Sequence, residues 1–279
     1  MRGINKGLLT ASLVRTPITC EVPISGSAAT LTVALMTLAV ATTRDNGTQS
    51  IQYLPFTLIG AQAKNLVDRI AKLPEGPVVL VGTYALEQDR WDDKASGDPR
   101  SRLDAKMLHV EIADGPFSFR TDRKGNYILE GGMNSITVGG NTTAEPTVRY
   151  APNGDKIVEV GVALNEVYQK AGQRAEKVTY VRVTAWREQA DILEALPKGS
   201  PLIVDGALNY ENWKDDDGNQ RSTLKVEAHR IVVVAKPGAA LTPPAHVTPP
   251  AIPDNAATAS KIPDVASPDQ APEEEDLPF

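Results

Sequence analysis

Two stretches of this sequence occur twice. LPEGPVVLVG at 73–82 returns as LPKGSPLIVDG at 196–206, and YLPFTLIG at 53–60 returns without a gap as YVRVTAWR at 180–187. The copies keep their order and lie far beyond the ~20–50-residue period of solenoids and propellers. A duplication on that scale copies a whole folding unit, so both halves must satisfy one fold.

In the second half the local pattern is legible. Asn134 to Thr142 and Lys156 to Val167 have strand character, Val178 to Trp186 (VTYVRVTAW) alternates, and Arg187 to Leu196 is a short helix ended by Pro197. Leu202 to Trp213 and Arg221 to Val234 form a hairpin around Asp215 to Gln220, with Asp217-Gly218 at the turn. The first half runs in parallel, with strands at Lys6 to Arg15, Leu31 to Thr43 and Gln52 to Gly60. Its helix covers Ala61 to Leu73 and is stopped by Pro74. Pro77 to Leu86 and Arg102 to Ile112 close that set around a polar hairpin loop, Asp92 to Ser101. A tryptophan, Trp91 or Trp213, comes soon after each fourth strand.

Five short strands with one helix between the third and fourth, in about 100 residues, describe an OB-fold barrel. The expected fold is therefore mainly β, with two tandem five-stranded OB barrels at 1–112 and 133–235. Between them, over 113–132, FSFRT and YIL flank Lys124-Gly125-Asn126 and predict a β-hairpin connector. The tail, 236–279, carries ten of the 21 prolines, nine alanines and no aromatic before Phe279. It cannot bury enough apolar surface to offset its ordering entropy, and disorder is expected.

The net charge of −6 belongs to that tail. From Pro237 onward seven acids face one base, Lys261, while residues 1–236 hold 28 of each sign. A neutral body can carry a basic groove, so overall acidity does not exclude a nucleic-acid ligand. One cysteine, Cys20, excludes an internal disulfide framework and, with three histidines, leaves no zinc cluster. Met1 to Leu13 lacks a signal peptide's apolar stretch, and the most apolar run, Leu31 to Ala41, is too short for a bilayer. The expectation is a soluble cytoplasmic protein without metal or other cofactor.

VTYVRVTAW shows what such a barrel could hold. Alternation puts Thr179, Val181, Val183 and Ala185 on a face suited to a core. The other face carries Val178, Tyr180, Arg182, Thr184 and Trp186: two flat rings with a guanidinium between them. On an isolated strand those rings could simply cover a hydrophobic edge. Unpaired bases, however, need π-surfaces to stack on and cations for their phosphates. No phenylalanine occurs between Met133 and Ala235, and every aromatic there (Tyr150, Tyr168, Tyr180, Trp186, Tyr210, Trp213) has a polar handle. A core of Val, Ile and Leu does not need them, which places them at the surface or its rim.

The run EPTVRYAPNGDKIVEVGVALNE at 145–166 resembles the start of bacterial single-stranded-DNA-binding proteins, and EEEDLPF at 273–279 is similar to their acidic C-terminal tip. Two barrels in one chain look like the form of the Deinococcus–Thermus lineage, in which dimers take the place of the usual tetramer. The resemblance covers 133–235 and the last seven residues closely, and 1–112 mainly by repeat and position. It implies a nucleoid-associated homodimer whose four barrels wrap single-stranded DNA without sequence preference. It also implies that Glu273, Glu274, Glu275, Asp276, Leu277, Pro278 and Phe279 recruit replication, recombination and repair proteins.

The family's base-stacking positions fall on Tyr168, Tyr180, Trp186 and Trp213, with Tyr53 and Trp91 as their counterparts in the first barrel. Tyr150 and Tyr210 could serve either packing or contact. Basic candidates are Arg149, Lys156, Arg174, Lys177, Arg182, Lys214, Arg221 and Lys225, with Arg102 and Lys106 weaker ones in the first barrel. A solvated surface charge is the default reading for each except Arg182, which strand parity sets between two rings. The first barrel departs from the pattern: Thr43 stands for Tyr168, Ile59 for Trp186 and Pro55 for Arg182, so unequal binding is expected. Gly139-Gly140-Asn141 lacks the lysine and spacing of a phosphate loop, and Asp215 to Asp217 lacks the glutamate of a calcium loop. Nothing outside the barrels could hold a catalytic domain, so an enzyme is not expected. The remaining rival is an OB-fold interaction scaffold in which one or both barrels do not bind DNA.

Overall fold

The computed structural model describes residues 3–24, 29–43, 49–92, 97–170, 173–214, 218 and 220–234. The tail and its acidic tip lie outside the described residues. In chain order the first unit contains β1 (Ile4–Leu13), β2 (Ile18–Pro23), β3 (Thr30–Thr43), β4 (Gln49–Ile59), α1 (Ala61–Ile70), β5 (Val79–Asp92) and β6 (Pro99–Ala113). The connector is the hairpin β7 (Phe119–Thr121) and β8 (Tyr127–Leu129). The second unit contains β9 (Met133–Thr142), β10 (Thr147–Tyr150), β11 (Lys156–Lys170), β12 (Gln173–Trp186), α2 (Arg187–Glu194), β13 (Pro201–Lys214) and β14 (Gln220–Val233).

Each unit closes a ring of five strands. Pairing runs β1–β5–β6–β4–β3 and back to β1, and again β9–β13–β14–β12–β11 and back to β9. Closure hides the strand edges that an open sheet would expose. Inside, alternate residues meet: Leu54, Phe56 and Leu58 from β4 and Val181, Val183 and Ala185 from β12 are all buried. Leu66 of α1 and Leu193 of α2 join that core, which explains why a helix sits between the third and fourth barrel strands. Both helices end earlier than Pro74 and Pro197 suggest, at Ile70 and Glu194, with a turn carrying the chain to the proline. Strands β2 and β10 were not expected. They are short, largely exposed ribbons on β3 and β11, and offer no alternation to read.

The rings are joined through their first strands. β1 and β9 pair antiparallel from Ile4–Gly139 to Thr10–Met133, so one continuous sheet crosses from barrel to barrel. An asparagine fixes the register on each side. The Asn5 side-chain amide donates to the Leu86 carbonyl (2.7 Å) and accepts from the Leu86 N–H (2.9 Å). Asn134 does the same with Leu208 at 2.7 and 3.1 Å. The strand-to-helix turn also recurs: Gly60 takes φ 82° and Arg187 takes φ 50°. Left-handed backbone is costly for a side chain, and Arg187 is held there by the Asp155 carboxylate at 3.1 Å.

Candidate nucleic-acid interface

The asparagine clamps define which residues of the two barrels correspond. Leu86 and Leu208 are counterparts, and so are Trp91 and Trp213, each five residues farther on. Both tryptophans lie inside the long hairpin strands β5 and β13, not after them as the sequence suggested. The third strands align through their parallel contacts, Thr57 with Lys106 and Thr184 with Glu227. Lys106 and Glu227 are themselves counterparts, each opposite the alanine before the clamped leucine. Tyr53 therefore corresponds to Tyr180, Pro55 to Arg182 and Ile59 to Trp186, the ungapped alignment read from the sequence. One correspondence changes. Thr43 pairs with Gln49, whereas the matching pair in the second barrel is Val167 with Glu176. Thr43 thus stands for Val167 and not for Tyr168. A one-residue slip in the longer β11–β12 hairpin is invisible to a local match.

In the second barrel the outer face of β12 is open. Tyr180 is 48% exposed, Arg182 is exposed and Trp186 is half-buried across from Ile157. Thr184 between them is buried. Ladder parity puts Asn209, Glu211 and Trp213 of β13 on the same surface, with Trp213 36% exposed. Tyr168, five residues along β11 from the partner of Tyr180, alternates onto the other side of the β11–β12 ribbon. Tyr150 is exposed on β10, and Tyr210 turns away to line a cavity against the first barrel.

The basic candidates divide by partner. Arg182 Nε and Arg149 Nη2 each donate to Glu159, at 3.0 and 2.8 Å. Lys225, almost fully buried, reaches Glu159 at 3.3 Å and Glu211 at 2.7 Å. Lys156 ties the carboxylates of Asp191 and Glu194 on α2, whose hydrogen bonds push its ammonium well above the usual lysine range. Arg174 pairs with Glu176 on the exposed ribbon. Lys214 and Arg221 are exposed toward the end of the β13–β14 hairpin. Lys177 crosses to the first barrel, meeting Glu87 at 2.9 Å, and Glu87 also meets Lys106 at 3.1 Å. Burial alone would raise the Glu87 carboxyl, but these two ammonium hydrogen bonds hold it below its ordinary value. Arg102 is committed to Asp104 at 2.7 Å.

The same surface of the first barrel is covered twice. Ile128 of the connector packs on Ala39 and Ala41, with Ile51 and Tyr53 against them. Tyr53 donates its hydroxyl to Asp122 in the connector turn, and burial followed by that carboxylate pushes its phenol far above the ordinary tyrosine range. Farther along, the β13–β14 hairpin of the second barrel roofs Leu35, Pro55 and Thr57, leaving a cavity of about 190 Å³. Trp91 remains open on this side, 48% exposed. Sequence comparison anticipated weaker chemistry here. It could not anticipate the cover, because Ile128 and Asp122 come from a segment outside the repeat.

A closed barrel whose open face carries spaced rings around a guanidinium is suited to single strands. The single-strand binding protein family model matches residues 133–234. The single-stranded DNA-binding protein of Deinococcus radiodurans is 36% identical over 185 residues, 66% of this chain and 60% of that protein. The chain thus spans less than two thirds of that relative's length. The Thermus thermophilus protein of the same description is 31% identical over 233 residues, covering 82% of this chain and 83% of that protein. The crystal structure of the wild-type single-stranded DNA-binding protein from Thermus aquaticus matches with TM-score 0.63 at 24% identity, covering 87% of this chain and 98% of that one, a likeness of fold. Shared barrels, their tandem arrangement and identity along most of both lengths lead to one conclusion: the chain belongs to the single-strand binding protein family.

Proposed function

We propose that this protein binds single-stranded DNA without sequence preference, chiefly through the outer face of its second barrel. The observation that carries this reading is the set of exposed Tyr180 and Arg182 with half-buried Trp186, on a barrel whose counterpart surface is covered. Stacking accepts any base, and a duplex hides the ring faces that stacking needs. Oligo-dT should therefore quench the tryptophan fluorescence, and log affinity should fall against log salt with a slope of about −0.7 per phosphate neutralised. Equal affinity for single-stranded and duplex DNA at moderate salt would end the proposal. For the first barrel a second reading has support: with Tyr53 capped by the connector, it serves mainly as a scaffold, and Trp91 is its remaining contact.

The sheet shared by the barrels supports a homodimer with four OB-folds. On its outer face Leu8, Val81, Met133 and Val232 are all exposed, more apolar surface than a solvated sheet face needs. A second copy would cover it. Sedimentation of the chain should give twice its mass, and Leu8→Asp should return it toward a single chain; an unchanged sedimentation profile for the variant would refute this interface.

Replication, recombination and repair are the settings in which exposed single strands need cover, and the cytoplasmic nucleoid is their place. The chemistry of the tip fits recruitment: Glu273 to Asp276 give a block of negative charge, and Leu277, Pro278 and Phe279 add a cluster of apolar groups beside it. A small hydrophobic pocket rimmed by bases is its natural complement. Deleting Leu277 to Phe279 should abolish pull-down of such partners while oligo-dT affinity stays nearly unchanged. Partners still captured by the shortened chain would rule the tip out.

A further inference from the structure

Glu159 stands where a nucleic-acid face should least tolerate it. It projects from β11 beside Thr184, between Tyr180 and Trp186, and is only 17% exposed. Its two carboxylate oxygens engage three cations: Arg182 on Oε1, and Arg149 and Lys225 on Oε2. Neutralising the buried Lys225 does not explain it, because Glu211 already meets that ammonium more closely. The shorter Glu159 contacts go to the arginines, both of which are exposed and one of which lies between the platform rings. In the first barrel every member of the group is replaced. By strand register Leu35 stands for Glu159, Pro55 for Arg182, Cys20 for Arg149 and Asp104 for Lys225. The carboxylate and the cations occur together in the open barrel and are absent together from the covered one.

Resting on the single-strand reading above, we propose that Glu159 is an internal stand-in for a DNA phosphate. In the free protein it accepts from Arg149 and Arg182 and keeps two long, otherwise mobile side chains gathered at the platform. When a strand arrives, a phosphate takes over those donors. Half-exposed ion pairs are weak, so the exchange costs little, while the retained carboxylate repels the incoming phosphate and limits affinity. Each arginine gives one donor to Glu159, Nε of Arg182 and Nη2 of Arg149, and a planar guanidinium has further N–H groups to offer a phosphate.

Oligo-dT titrations of the full chain across a salt series test this. Glu159→Gln keeps the size and one acceptor but removes the charge. It should bind about three- to tenfold more tightly at low salt, with a log–log slope steeper by about 0.7, one extra phosphate neutralised. Glu75→Gln makes the same charge change on an exposed turn remote from the face and should leave both quantities as they were. In the unmutated chain, the Arg182 Nε–H resonance should shift as oligo-dT is added. A Glu159→Gln slope equal to the parent, or an Arg182 resonance unmoved at saturation, overturns the proposal while single-strand binding stands. Failure of the unmutated chain to bind oligo-dT overturns the underlying reading as well.

Discussion

Trp186→Ala should weaken oligo-dT binding by ~1–3 kcal/mol, roughly 5- to 150-fold, the range for losing one stacking platform. Ile59→Ala should change it by less than a factor of two or so, since its site offers no ring and adjoins a covered face. The strand register makes this a matched pair, because both residues end the third strand of their barrel just before the strand-to-helix turn. Trp186 is only half-buried, so its removal opens no large cavity, and unchanged circular dichroism and melting should verify that the barrel survives. Tyr53→Ala, at the counterpart of Tyr180, should cost stability more than affinity, because its hydroxyl binds Asp122 of the connector. Equal losses of affinity at Trp186 and Ile59 would mean that the barrels share the DNA evenly.

The second large effect concerns the core. Gly7 of β1 lies directly opposite Tyr84 of β5, and a Cβ on Gly7 would meet the Tyr84 ring at 2.1 Å. Tyr84 is fully buried and packs edge-on against Phe56 at 5.0 Å. In the second barrel the corresponding pair is Ile136 opposite Gly206, with the large and small partners exchanged. Gly7→Ile should therefore overpack the first barrel, destabilising it by ~1–3 kcal/mol or more. Tyr84→Gly should leave a cavity costing ~3–5 kcal/mol, by analogy with other aromatic truncations. Combined, they copy the other barrel's solution, and the double variant should be more stable than the sum of the two losses by at least ~2 kcal/mol. Denaturant melts of the four proteins measure that coupling, and strict additivity would refute the exchange.

Gly7 and Tyr84 also show where reading the sequence stops. The third strands were legible because inner and outer residues alternate, and VTYVRVTAW buries the four inner residues its parity assigns and exposes Tyr180 and Arg182, with Thr184 the buried exception on the outer side. The helices and hairpins carried proline and Asp-Gly punctuation, and the duplication let one half interpret the other. Pairs such as Gly7–Tyr84 or Ile136–Gly206 join residues 77 and 70 positions apart, and nothing local marks them. The face was half legible for a similar reason. Residue type and parity located Tyr180, Arg182 and Trp186, but nothing local singles out Glu159, and only the register sets it among three cations. Lys156 and Lys177 were basic candidates for the DNA surface, and their carboxylate partners come from other elements, α2 and β5. The lid over Tyr53 was the least accessible of all, since Ile128 and Asp122 have no counterparts to compare.

The seam between β1 and β9 bears on how such a molecule can change over time. Where a barrel pair is assembled from identical chains, any substitution appears on both sides of the join, and each side must tolerate it. Here the two sides are separate residues of one polypeptide, held at a local concentration that dilution cannot lower. One copy is thus free to diverge without dragging the other with it. Lys225 and Asp104, equivalent positions of opposite charge, record that freedom, as do the exchanged Ile136–Gly206 and Gly7–Tyr84 pairs. The outcome is an asymmetry inside one chain: the outer face of one barrel lies beneath a lid, and the same face of the other is left bare.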